Sequence, residues 1–168
     1  TLYRTSGDSP LVQALARAAD QGRKQVTVLV ELMARFDEQS NIKWARSLEE
    51  SGAHVIYGIR GLKTHSKICL VVRRTRQGVR RYVHLGTGNY NATTARFYTD
   101  LSLMTADPEI TAAVHDVFSF LTAYSEHSSY VPLMVSPVNI AEHSLDLIAR
   151  ESDHARLGRP ARIVAKMN

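Results

Sequence analysis

The chain has 168 residues, 44% of them apolar, with 21 Lys and Arg against 16 Asp and Glu. That length fits one domain with a substantial core; no run of 18 apolar residues offers a membrane span, and no secretory signal is visible. Cys69 is the lone cysteine, which excludes a disulfide framework and fits a reducing cytoplasm.

In chain order, Ser9-Pro10 is a helix-start signal, followed by Leu11, Val12, Leu15, Ala18 and Ala19 at helical spacing, with Gly22 as the stop. Residues 26–32 are β-rich and almost continuously apolar, as expected of a strand buried on both faces. Residues 37–50 read as a helix with Ile42, Trp44, Ala45 and Leu48 inward, and Gly52 follows its end. Residues 55–57 form a short strand. Two more strands, 66–73 and 80–85, flank a polar turn at Gln77-Gly78, and 101–104 is a further candidate.

Asp107-Pro108-Glu109 opens a helix that carries Ile110, Ala113, Val114, Val117, Phe118 and Leu121 inward as core and scaffold. Residues 131–135 are apolar and extended, 139–155 are helical, and Gly158-Arg159-Pro160 breaks that helix. The alternating segment 162–167 resembles a strand whose partners lie elsewhere; with no Met at the start, the chain reads as a fragment. The early β-α-β alternation predicts an α/β fold, a mixed β-sheet flanked by helices.

Chemistry concentrates in the middle. Leu62-Lys63-Thr64-His65-Ser66-Lys67 leads into the apolar run Ile68-Cys69-Leu70-Val71-Val72. Side chains alternate along a strand, so His65 and Lys67 should share a face. An imidazole is a nucleophile near neutral pH, and a neighbouring ammonium can hold an anion against it, which suits attack on phosphorus. Residues 51–99 contain no Asp or Glu but hold Arg60, Lys63, Lys67, Arg73, Arg74, Arg76, Arg80, Arg81 and Arg96. Such a patch attracts anions. For the five arginines around the turn, a solvated hairpin is the plain alternative.

Gly86-Thr87-Gly88-Asn89 follows the second strand of the pair. Glycines there let backbone N–H groups approach a phosphate, and Asn89 could bind it or orient the His65 ring; an ordinary strand-to-helix turn is the plain alternative. Asp100 could fix the His65 tautomer or simply cap a turn. His84 is left unassigned, pointing either inward or to the opposite face. His54, His115, His127, His143 and His154 show no metal-ligand spacing, so zinc is not expected.

The two motifs resemble half of the phospholipase D superfamily site, H-x-K-x4-D followed by G-S/G-T-x-N. His65, Lys67, Gly86, Thr87 and Asn89 match, while Val72 stands where the motif has Asp. A narrower resemblance, to the class 1 polyphosphate kinases, covers essentially the whole chain. It is carried by Leu2-Tyr3-Arg4, by Val30-Glu31-Leu32-Met33-Ala34-Arg35-Phe36-Asp37-Glu38 and by Leu62-Lys63-Thr64-His65-Ser66-Lys67. It is carried further by Tyr82-Val83-His84-Leu85-Gly86-Thr87-Gly88-Asn89-Tyr90-Asn91, Thr94-Ala95-Arg96-Phe97-Tyr98-Thr99-Asp100 and Leu133-Met134-Val135-Ser136-Pro137.

The resemblance implies reversible transfer of the γ-phosphate of ATP to inorganic polyphosphate through a phosphohistidine on His65, with Lys67 stabilising the phosphate. It implies nucleotide binding by Tyr98 and association of Arg4 and Arg35 with Mg²⁺. A guanidinium cannot ligate a cation, so both arginines should grip phosphate oxygens that the metal also binds. Plainer roles are open as well. His65 could be a structural strand histidine, Arg35 an ion-pair partner of Asp37 or Glu38, and Tyr98 a ring packed beside Phe97.

The resemblance also implies that residues 1–155 are most of the first C-terminal domain of such an enzyme. It begins a little inside that domain, and 156–168 are a linker and the first strand of a following domain. Expected partners are ATP, ADP and polyphosphate, the remaining domains of the parent chain, and further copies in a homo-oligomer, with no specific nucleic acid. The expected place is the cytoplasm, or the periphery of the inner face of the membrane. A phospholipase D-like phosphodiesterase half-domain and a non-catalytic polyanion-binding module are the alternative functions.

Overall fold

The computed structural model describes residues 1–165 except 4–8, 21, 23, 32–37, 124 and 126–128, with the side chains of 38 and 40 also outside it. Helix α1 (Pro10–Asp20) starts on a proline, whose fixed φ suits the first helical position and whose missing N–H leaves no donor unsatisfied there. The chain turns at Gly22, φ +60°, whose N–H donates to the Ala19 carbonyl. Strand β1 (Thr27–Val30) lies parallel to β2 (His54–Tyr57), from Thr27↔His54 to Val30↔Tyr57, with helix α2 (Glu38–Glu50) as the crossover. After α2, Gly52 N–H donates to the Glu49 carbonyl and Ala53 N–H to the Leu48 carbonyl. These paired bonds need the left-handed φ of +87° at Gly52.

A long hairpin follows, β3 (Lys67–Thr75) against β4 (Gly78–Gly86), and β5 (Ser102–Thr105) lies antiparallel along β4. The ladder runs two residues further towards the turn on each strand than expected, which adds Arg74 to it, while Arg76 stays in the turn. Residues 1 and 2 join the two sheets. Leu2 bridges Val30, donating to the Leu29 carbonyl and accepting from Glu31 N–H, while the Thr1 hydroxyl donates to the Ser66 carbonyl and accepts from Ile68 N–H. The α/β class is as expected, but the strands form two sheets, a parallel pair and an antiparallel trio, rather than one mixed sheet.

The two faces of β1 are covered differently. Val28 and Val30 of β1 pack with Val12, Ala19, Ala45 and Leu48 of α1 and α2. Leu29, between them, points the other way and packs with Ile68, Val83, Val114, Val117 and Leu121. The strand is buried on both faces, as its apolar run predicted.

The facing helix α3 (Pro108–Ala123) begins as expected. Asp107 Oδ1 accepts from the N–H groups of Glu109 and Ile110, at 3.0 and 2.9 Å, and Pro108 is the first helical residue. Helix α4 (Ile140–Arg156) ends at Gly158, φ +69°. No helix among the described residues is long and apolar enough to cross a membrane.

Two expectations fail, one of them in part. Ile42 faces outward, 39% exposed, because Asn41 takes the inward position on the stripe shared with Ala45 and Leu48. Residues 131 and 132 form a turn where an extended run was expected, and 133–135 join no ladder. Residues 162–165 make no ladder with the described residues, which leaves a strand with partners elsewhere untested, and Arg162 N–H donates to Glu151. Residues 166 and 167 lie outside the described residues.

Candidate functional site

The site lies where β3 begins and β4 ends. The hairpin register sets Lys67 opposite Gly86, so the H-x-K and G-T-G-N segments are neighbours across the ladder. His65 precedes the strand rather than heading it, so simple alternation does not govern its side chain. It nevertheless meets Lys67 at a common point, the ring of Tyr3. The His65 ring stands edge-on to Tyr3, 4.5 Å between centroids at 88°, and Lys67 Nζ lies 5.4 Å from the same centroid. Lys63 Nζ approaches it at 5.6 Å.

Lys67 is 6% exposed, whereas His65 is exposed. A buried ammonium requires partners, and Lys67 Nζ donates a short hydrogen bond to the His65 carbonyl. A fixed positive charge is thereby held beside a solvent-facing imidazole. That arrangement can receive a phosphate.

Tyr3 is held from below. Asn41, 1% exposed, donates from Nδ2 to the Tyr3 carbonyl at 2.8 Å and to the Glu31 carbonyl at 2.9 Å. Glu31 is itself buried, and its Oε2 accepts from Thr64 N–H at 2.9 Å, which fixes the segment leading into His65. Tyr3, Glu31 and Asn41 are site residues that sequence reading did not single out. Tyr3 and Glu31 stood inside recognised segments, but nothing local marked their place beneath His65.

The G-T-G-N loop is pinned on its other side. Thr87 Oγ1 donates to Asp100 Oδ1 and accepts from Leu101 N–H, both at 3.0 Å, and Thr87 N–H donates to the Leu101 carbonyl. Asp100 therefore braces the glycine loop, the turn-fixing role rather than a hydrogen bond fixing the His65 tautomer. Asn89 is half-buried, and its Oδ1 is enclosed with no hydrogen-bond partner. Such an orphan calls for a ligand or a function.

His84 Nδ1 lies 2.7 Å from the Tyr90 hydroxyl. Burial, with Cys69 second, pushes the Tyr90 phenol well above its ordinary range, so it stays neutral.

Tyr98 lies beyond a 3₁₀ turn at Thr94–Arg96 and is 70% exposed, as is Phe97 at 81%, so packing beside Phe97 does not bury it. Among the described residues no ring contact or hydrogen bond joins its side chain to His65 or Lys67. Arg4 and Arg35 lie outside the described residues. No group of three His, Cys, Asp or Glu that could hold a metal occurs among those described. The donors among the described residues do not fit a resident Mg²⁺.

Fold and site together define an α/β domain with a basic, histidine-bearing end to its antiparallel sheet. Residues 1–127 match the family described as polyphosphate kinase C-terminal domain 1, and the chain belongs to it. It is 58% identical to the polyphosphate kinase of Synechocystis sp. and 55% identical to that of Streptomyces coelicolor. Each match covers all of this chain but only 23% and 22% of the relative. The crystal structure of polyphosphate kinase from Porphyromonas gingivalis superposes with a TM-score of 0.80 at 38% identity, covering 94% of this chain and 26% of that one. The chain thus spans about a quarter of these relatives.

Proposed function

We propose that this chain is the histidine-bearing part of a longer polyphosphate kinase, moving the γ-phosphate of ATP reversibly to inorganic polyphosphate. The observation that carries the reading is the convergence of an exposed His65 and a buried Lys67 on Tyr3, beside the glycine loop. In the proposed first step an imidazole nitrogen of His65 attacks the γ-phosphorus in line. The nitrogen–phosphorus bond forms as the β–γ bridging bond breaks, and ADP leaves with the electron pair. A terminal polyphosphate oxygen then attacks the same phosphorus, the bond to nitrogen breaks, and the chain is one phosphate longer. Reversal regenerates ATP.

Lys67 has the role of stabilising the equatorial oxygens, a preorganised charge of the kind that dominates phosphoryl transfer. Asn89 supplies a hydrogen bond to phosphate. Arg4 and Arg35 are assigned to phosphate oxygens, and Tyr98 to the nucleotide, by resemblance alone. Mg²⁺ is assigned to the substrate phosphates, and no step is routed through it. Residues 1–155 are read as one domain and 156–168 as the lead into the next. The other segments of the parent chain, further copies of it and a cytoplasmic or membrane-peripheral location belong to the same reading.

In the full-length polypeptide, His65→Ala should abolish transfer from ATP to polyphosphate while polyphosphate binding persists. Transfer that survives His65→Ala would refute the assignment. A wild-type protein that binds polyphosphate but transfers nothing would make the chain a binding module.

A further inference from the structure

The far end of the β3–β4 hairpin carries Arg73, Arg74, Arg76, Arg80 and Arg81, and the proposed transfer step uses none of them. The register places Arg73 directly opposite Arg80, and like charges facing each other across strands are destabilising. Residues 51–99 contain no carboxylate to offset this. No ion pair reaches any of the five among the described residues. Four are exposed, and the fifth, Arg81, has its Nε buried without a hydrogen-bond partner. Arg73 and Arg80 share the sheet face of Lys67, while Arg74 and Arg81 take the other face, so positive charge surrounds the tip.

Cross-strand repulsion and an unsatisfied guanidinium are costs that an anionic ligand would relieve. We propose that this tip is a second anion site, which grips the body of an extended polyphosphate chain while its terminus is at His65. The identity of the polyanion rests on the proposed function; the existence of the site does not. Guanidinium forks suit phosphate oxygens. No aromatic side chain stands between residues 72 and 81, whereas binders of single-stranded nucleic acid stack bases on aromatic rings. That favours a bare phosphate chain. Lys67 and Arg73 are six positions apart along the strand, a rise of about 20 Å, so only a long chain can occupy both sites.

The test uses the full-length polypeptide, with Arg73, Arg76 and Arg80 all changed to Gln, or all changed to Lys. Binding of end-labelled long-chain polyphosphate and of tripolyphosphate is followed by fluorescence anisotropy at stepped salt. The Gln triple should weaken long-chain binding at least tenfold and flatten the slope of log K against log salt by about 2, or about 0.7 per lost contact. Tripolyphosphate binding and labelling from ATP should be unchanged, and the Lys triple should keep the slope. Arg80→Gln alone, flattening it by about 0.7, gives a milder variant.

Unaltered long-chain binding in the Gln triple would overturn the proposal. So would an equal loss of tripolyphosphate binding, or equally tight binding of a single-stranded oligonucleotide lost in the same variant. A wild type that binds no polyphosphate at all would instead sink the proposed function.

Discussion

Gly88→Ala probes the brace between the glycine loop and Asp100. A Cβ at position 88 would lie 2.4 Å from Asp100 Oδ2 and 2.7 Å from its Cγ, so the carboxylate must move. Moving it breaks the Thr87–Asp100 hydrogen bond, worth about 1 kcal/mol at an exposed position, and forces a less favourable rotamer at about 0.5–1.5 kcal/mol. Gly88 does not have a positive φ, so alanine meets no backbone strain there and by itself would stabilise by about 0.4–1 kcal/mol. The net cost should be about 1 kcal/mol. In an Asp100→Ala background only the 3.2 Å contact with Cβ remains. There Gly88→Ala should be neutral or slightly stabilising, a coupling of about 1–2 kcal/mol between neighbours. Urea unfolding of the four chains of this cycle, followed by circular dichroism, measures it. Equal costs in both backgrounds would refute the clash reasoning.

Asn41→Ala removes two hydrogen bonds to backbone carbonyls, one buried and one part-buried, and should cost about 1–3 kcal/mol in urea unfolding. It should also slow phosphate transfer by releasing Tyr3 and Glu31, and a stable variant with full activity would contradict their supporting role. Tyr90, whose phenol is raised by burial, is a group whose folded pKa exceeds its unfolded one. Its contribution is therefore complete below the unfolded value near 10 and declines as pH rises above it. Tyr90→Phe should remove part of the alkaline loss of stability above pH 10, measured by thermal melts across that range; an identical alkaline profile would count against it.

Local chemistry made much of the fold legible. Asp107-Pro108 announced α3, Gly52 and Gly158 announced helix ends through paired terminal hydrogen bonds, and the unbroken apolar run announced a doubly buried β1. The hairpin, and with it the adjacency of Lys67 and Gly86, followed from two β-rich segments around a polar turn. What stayed hidden depends on contacts between distant residues. Asn41 displaces Ile42 from the core side because its partners are backbone carbonyls at Tyr3 and Glu31, 38 and 10 positions away. Tyr3 reaches His65 only because residues 1 and 2 fill the gap between β1 and β3. The apolar stretch at 131–135 turns at residues 131 and 132, which apolarity alone does not announce.

The central claim is a covalent phosphate on His65. The full-length polypeptide incubated with γ-labelled ATP, then digested and mapped by mass spectrometry, tests it directly. Acid-labile, alkali-stable label on His65 that chases into added polyphosphate is the predicted result. Label on another residue, or an active enzyme that carries none, would contradict it.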